Sequence, residues 1–297
     1  MSGRENRNSR SDKGLHRRHI QFTAALLMIM GITLLFPQMT SGQGNLLITP
    51  KRIMFEGSGR SMDINLANTG TDSATYAISV VQIRMTDDGG FETITEPDPG
   101  QRFADRYIRF FPRTVTLAPG EAQLVKVQLT RRSELTDGEY RSHFYFRAIP
   151  NSSPMGEEEI PADSTTISIR LVPVFGITIP VIVRSGESTT ATKLTDLSIE
   201  QAADTPPILN ITFNRTGNMS VYGDVTVAHI SPSGEVTRVG VANGVAVYTP
   251  NLIRRFRLNL MPAEGVNYNS GKLKVTYSAS SDVKPGIYAE SELLLGK

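Results

Sequence analysis

The chain has 297 residues, with 31 Lys or Arg against 29 Asp or Glu and a net charge of +2, which excludes the strong basic excess of a typical nucleic-acid binder and leaves length for two domains. It has no cysteine, which excludes disulfides, thiolate catalysis and Cys-ligated metal sites. Residues 1–42 hold six of the basic residues and two of the acids, so the remaining chain has 25 basic and 27 acidic residues and a net charge of −2.

The N-terminus is polar and basic through residue 19. An apolar run of 17 residues follows from Ile20 to Phe36, then Pro37 and the small residues Thr40-Ser41-Gly42. This order predicts a secretory signal peptide over residues 1–42, with an uncleaved membrane anchor as the competing reading. Either reading exports the rest of the chain.

From residue 45 onward the pattern is alternation. Met62, Ile64 and Leu66 interleave with Asp63, Asn65 and Ala67, as a half-buried strand requires. Strands are predicted at 46–48, 53–55, 62–66, 74–85, 107–111, 122–129 and 139–149, with turns at Asp87-Asp88-Gly89-Gly90, Ala118-Pro119-Gly120 and Asp137-Gly138. A polar loop over 150–163 precedes the longest extended segment, 164–184, and residues 185–190 read as a linker. Further strands are predicted near 194–199, 208–214, 221–230, 236–242, 254–260, 271–278 and 286–295. Two sets of about seven short strands point to an all-β chain of two immunoglobulin-like β-sandwich domains. The predicted domains are 43–184 and 191–297.

Little chemistry is offered along this chain. His16 and His19 fall in the leader, and His143 and His229 have neither a nucleophile nor metal-ligand spacing near them in sequence. The Asp87-Asp88-Gly89-Gly90 cluster lacks the ordered oxygen ligands of a calcium loop. Gly57 and Gly59 match no phosphate fingerprint. No catalytic residue, metal site, cofactor, nucleic acid or small-molecule substrate is expected, and the chain is not read as an enzyme.

Residues 48–68 carry a resemblance. The run Ile48-Thr49-Pro50-Lys51-Arg52-Ile53-Met54-Phe55-Glu56-Gly57, followed by a strand ending at Asn68, resembles the opening of the PapD-like periplasmic pilus chaperones. Leu117-Ala118-Pro119-Gly120, Ser142-His143-Phe144-Tyr145-Phe146 and Val181-Ile182-Val183-Arg184 resemble later segments of that family in the same order. Beyond residue 188 the likeness rests on strand pattern and position alone.

The resemblance implies a periplasmic chaperone that caps pilus or fimbrial subunits by donor-strand complementation with its long seventh strand, with a subunit and an outer-membrane usher as partners. It implies that the two domains meet at an angle and leave a cleft, that Arg52 binds the subunit's C-terminal carboxylate in that cleft, and that Arg184 is an interdomain residue. It makes Ile167, Ile169, Leu171 and Phe175 the donor-strand side chains. The same parity is expected of a strand that lines its own core, so both readings stand at this point. Two positions depart from the family pattern. Pro180 stands where a second carboxylate-binding lysine is implied, and Arg141 stands where the alignment puts the acidic partner of Arg184. The alternative from another class is an extracellular adhesive or structural protein of tandem sandwich domains.

Overall fold

The structure, a computed structural model, describes residues 45–150, 174–201, 205–280 and 286–296. The predicted leader and the donor positions Ile167, Ile169 and Leu171 lie outside the described residues. The strands in chain order are β1 (Leu46–Thr49), β2 (Ile53–Phe55), β3 (Ser61–Asn68), β4 (Ala74–Met85), β5 (Phe91–Ile94), β6 (Ile108–Phe111), β7 (Thr114–Leu117), β8 (Ala122–Leu129), β9 (Gly138–Ile149) and β10 (Gly176–Ser185). They continue with β11 (Ala191–Glu200), β12 (Ile208–Thr216), β13 (Val221–Ile230), β14 (Val236–Val247), β15 (Ile253–Asn259), β16 (Lys272–Ala279) and β17 (Ile287–Leu294). The chain is all-β, as the alternation required. Two short strands, β5 and β7, were not expected from the pattern.

The first sandwich packs the sheet β1-β3-β8-β6 against the sheet β2-β10-β9-β4-β5, with β7 pairing β4. Alternate residues meet between the sheets: Ile64 and Leu66 from β3 and Val125 and Val127 from β8 face Phe144 and Phe146 from β9 and Val181 and Val183 from β10. The second sandwich faces β11-β12-β15 against β14-β13-β16-β17. Leu209, Ile211 and Phe213 from β12 pack there with Val225, Val227 and Tyr277. Residues Gln43–Lys297 form one compact unit.

Two strands decide where the functional face lies. β10 pairs antiparallel with β9 along its whole length, from Gly176 opposite Arg147 to Ser185 opposite Gly138. On its other side β2 runs parallel and covers only Val181–Val183. Among the described residues, the backbone of Gly176–Ile179 therefore presents an open edge on that side, the kind of edge to which another strand can be added.

Side-chain parity changes character along the same strand. Ile179, Val181 and Val183 are buried in the first core. Ile177 and Phe175, on the same alternation, are 37% and 46% exposed. Own-core packing thus accounts for the alternation from 179 onward and not for Phe175 or Ile177. Among the described residues of the expected extended segment 164–184, Val174 and Phe175 precede the strand that starts at Gly176, and the carbonyl of Phe175 still accepts a hydrogen bond from the Ala148 amide at 3.0 Å.

Candidate functional site

The inward face of β9 and β10 is given to the core. The outward face of β9 carries Glu139, Arg141 and His143, and that of β10 carries the apolar Pro180 and Ile182 and the charged Arg184. The ladder sets Arg184 opposite Glu139 and Ile182 opposite Arg141. The acid expected at position 141 is therefore present two residues earlier, at Glu139. A shift of two residues keeps the side chain on the same face of a strand, so the acid serves the same neighbour.

Glu139 is the centre of a closed polar cluster and its side chain is fully buried. Arg184 Nε donates to Oε2 at 3.0 Å and Arg141 Nη2 donates to Oε1 at 2.7 Å. The second sandwich completes the shell through Ser220, whose amide and hydroxyl donate to Oε2 at 3.0 and 2.6 Å. Ser220 Oγ in turn accepts from Arg141 Nη2 at 2.7 Å, and its carbonyl accepts from Arg184 Nη2 at 2.8 Å. Arg184 Nη1 reaches Glu56 Oε1 at 2.8 Å. Burial alone would raise the pKa of Glu139, but the charges of Arg141 and Arg184 and the Ser220 hydroxyl overcome it and hold the carboxyl at about 2. Burial likewise works against the charge of Arg184, and Glu139 and Glu56 outweigh it.

Ser220 is held in place by a second buried arginine. Arg215, near the end of β12, donates from Nη1 to the carbonyls of Gly217 and Met219 at 2.9 Å each and from Nε to the Asn251 carbonyl at 2.9 Å. Thr190, beside β11, accepts from the Met219 amide at 3.0 Å and donates to its carbonyl at 2.8 Å. The β12–β13 turn that delivers Ser220 is thus fixed to the segment joining the sandwiches.

The β4–β5 hairpin makes another contact between the sandwiches. Asn251 Nδ2 donates to the Met85 carbonyl at 2.7 Å, and the Arg255 amide donates to the Asp87 carbonyl at 2.6 Å. The Phe91 ring lies 5.6 Å from that of Tyr248. The Asp87-Asp88-Gly89-Gly90 cluster is the hairpin turn that was predicted, with Asp88 capping it through Thr86 and the Gly90 amide; its additional service as a strut depends on tertiary contact.

Between these supports lies a cavity of about 870 Å³ whose lining includes Lys51, Arg52, Pro180, Ile182, Tyr222 and Tyr288. The Arg52 guanidinium carbon sits 4.1 Å from the centre of the Tyr222 ring, and that of Arg141 sits 3.6 Å from Tyr248, both cation–π distances. The parallel pairing of Ile53 with Val181 puts Arg52 next to Pro180, so the side of Arg52 where a lysine was implied is apolar and lacks a backbone N–H. His143 is buried behind this wall, stacked on Tyr248 at 6.2 Å. Burial first and Arg141 second lower its pKa to about 3, so it is a neutral packing residue at ordinary pH. His229 is buried too, its Nε2 3.0 Å from the Ser270 carbonyl. Among the described residues no group of three His, Asp or Glu side chains is placed to hold a metal.

Of the residues singled out in the sequence, Arg52 and Arg184 line one cavity, and Phe175 lies exposed just before β10. Glu139, Ser220, Tyr222 and Tyr248 were not anticipated. Only Glu139 left a signal, as the one acid in strand β9 and on the same parity as Arg141.

The Fn3-like domain family matches residues 52–148. No curated protein matches the chain by sequence. Among solved structures the chain is similar to the YadV chaperone, at 12% identity over 84% of this chain and 100% of that chain, with a TM-score of 0.43. It is also similar to a chain of the chaperone–tip adhesin complex of CFA/I fimbriae biogenesis, at 14% identity over 85% and 99% of the two chains and a TM-score of 0.44. A third is the CupB2 chaperone of Pseudomonas aeruginosa, at 12% identity over 84% and 100%, with a TM-score of 0.42.

Proposed function

We propose that the protein is a periplasmic chaperone of pilus or fimbrial subunits that lends the segment leading into β10 to an incomplete subunit and holds the subunit's C-terminal carboxylate at Arg52. The observation that carries this reading is the course of β10. In one strand it leads from an open backbone edge flanked by exposed Phe175 and Ile177 to a cavity lined by Arg52. An open edge supplies backbone hydrogen bonds, and alternate apolar side chains supply pocket contacts. A guanidinium supplies the fork that pairs both oxygens of a carboxylate. The motif at residues 48–68 supports the same assignment. Ile167, Ile169 and Leu171 continue the donor parity toward the N-terminus, and an outer-membrane usher receives the capped subunit. The chemistry is binding, not catalysis.

The test is co-purification of a fibre subunit encoded beside this chain, with circular dichroism confirming that each variant is folded. Leu171→Glu sets an unpaired charge against an apolar groove, which is costly, and is expected to abolish capture. Arg52→Ala is expected to weaken it by roughly 2–5 kcal/mol, much of which arises from the stranded carboxylate. Normal capture by Arg52→Ala removes the carboxylate anchor. Normal capture by both variants leaves a tandem-sandwich adhesive or structural protein as the better account.

A further inference from the structure

A second charged feature lies outside the cavity, at the end of the first sandwich where β3 begins and β8 ends. Ser61 and Arg109 both stand opposite Gln128 on the outward face of β3, β8 and β6. Arg109 is therefore roughly 10 Å from the start of β3, two strand spacings away. The Leu129 amide donates to the Arg60 carbonyl at 2.9 Å, and the Thr130 amide donates to the Tyr107 carbonyl at 2.7 Å. These bonds gather residues 57–63, 105–109 and 126–134, which hold six basic residues and three acids. Lys126 and Asp63 pair with each other at 2.9 Å. Arg60, Arg106, Arg109, Arg131 and Arg132 remain, all exposed, against Asp105 and Glu134. None of the five arginines lines the cavity.

Backbone conformation sets Arg131 apart. Its φ of +50° and ψ of +36° lie in the left-handed region, where the Cβ of an L-residue is disfavoured. Glycine would hold the same bend with less strain. The 3-10 turn Arg132–Glu134 that follows buries no residue, so core packing does not select the arginine.

The chemistry of the patch narrows its occupant. All five cations are arginines, whose planar fork pairs both oxygens of a carboxylate, where a lysine supplies a point charge. None of the large exposed apolar side chains falls within the three segments, and binding to a membrane surface draws on buried apolar area as well as on charge.

We propose that this end of the first sandwich docks an acidic segment of a partner protein, a run of Asp and Glu whose carboxylates are held by Arg131 and Arg132 with Arg60 and Arg109 alongside. The surface is separate from the cavity and from the open edge of β10, and it does not depend on the chaperone reading.

The experiment is an NMR titration of the purified protein with acetylated, amidated octaglutamate, with octaglutamine as the control. Octaglutamate is expected to bind more tightly, to shift the amides of Arg60 and Thr130–Glu134 most, and to weaken as salt is added. Arg131→Gln and Arg132→Gln are each expected to weaken its binding about threefold, and about tenfold together, the scale of exposed charge contacts. Arg131→Gly is expected to weaken binding by the same factor without lowering the Tm, because glycine accepts that φ. A lowered Tm would make Arg131 a residue of the fold and overturn its docking role. Equal binding of the two peptides, or octaglutamate binding unchanged by the double substitution, overturns the surface. If phosphatidylglycerol vesicles bind through Arg131 and Arg132 and octaglutamate does not, the occupant is a lipid headgroup and the acidic segment is ruled out.

Discussion

Glu139 stands directly across the antiparallel ladder from Arg184 and accepts its Nε–H at 3.0 Å, while the same carboxylate is bonded by Ser220 of the second sandwich. One buried charge thus joins the strand that is proposed to capture a subunit to the other sandwich.

Removing that charge strands its partners. Glu139→Gln is expected to destabilise the protein by about 3–5 kcal/mol, because Arg141 is left buried without its counter-ion. Urea unfolding should show a lower midpoint. An unchanged midpoint would mean that the cluster contributes nothing to the joint.

Acid sensitivity should come in two steps. His143 is kept neutral in the fold down to about pH 3, whereas the unfolded chain takes up that proton near 6.5. The unfolded state then binds more protons, so stability falls as the pH drops from about 6.5, with a slope of up to roughly 1.4 kcal/mol per pH unit. Glu139 is held at about 2 against an ordinary 4.5, so its contribution is complete above about 4.5 and is lost as the pH falls toward 2. His143→Gln should flatten the stability profile between pH 6.5 and 4.5 and leave the lower step in place. Chemical unfolding at a series of pH values reads both.

Residues of one parity on β10 should divide by task. Ile179→Ser removes a buried side chain and is expected to cost about 2–5 kcal/mol of stability. Phe175→Ser and Ile177→Ser act at exposed positions, where changes in stability are expected within about 0.5 kcal/mol, yet both should reduce subunit capture. If the two exposed substitutions leave capture intact, the open edge is not where the partner pairs.

The hairpin strut should be sensitive at Gly89. Its φ of +87° is one that other residues rarely adopt, and an added Cβ would come within 2.5 Å of the Arg254 guanidinium. Gly89→Ala is expected to destabilise by about 1 kcal/mol or more, measurable as a lowered Tm.

Legibility in the sequence followed the range of the interaction. Strands whose burial alternates, such as β8 and β13, could be read residue by residue, because one buried face imposes period two. β5 escaped because three of its four residues are exposed and no alternation marks it. Arg52 and Arg184 were found through a motif. The partner of Arg184 was misplaced at Arg141, since register between two strands is fixed by the packed fold and is not written in either strand alone. Ser220, Tyr222 and Tyr248 come from the second sandwich, and nothing local distinguishes them from other strand-end residues. The β4–β5 turn was legible as a turn and illegible as a strut for the same reason.

The continuous pairing of β10 with β9 has a mechanical meaning. Antiparallel ladder bonds lie perpendicular to the strands, so tension along β10 loads the ten residue pairs from Gly176 to Ser185 in shear and together, instead of peeling them one by one. At the far end the strand is pinned by the Arg184 guanidinium, bonded at once to Glu139, Glu56 and the Ser220 carbonyl. A partner drawn away along the strand axis would pull against a shear-loaded joint riveted at one end, whereas one lifted sideways from the Gly176 edge would open it like a zip.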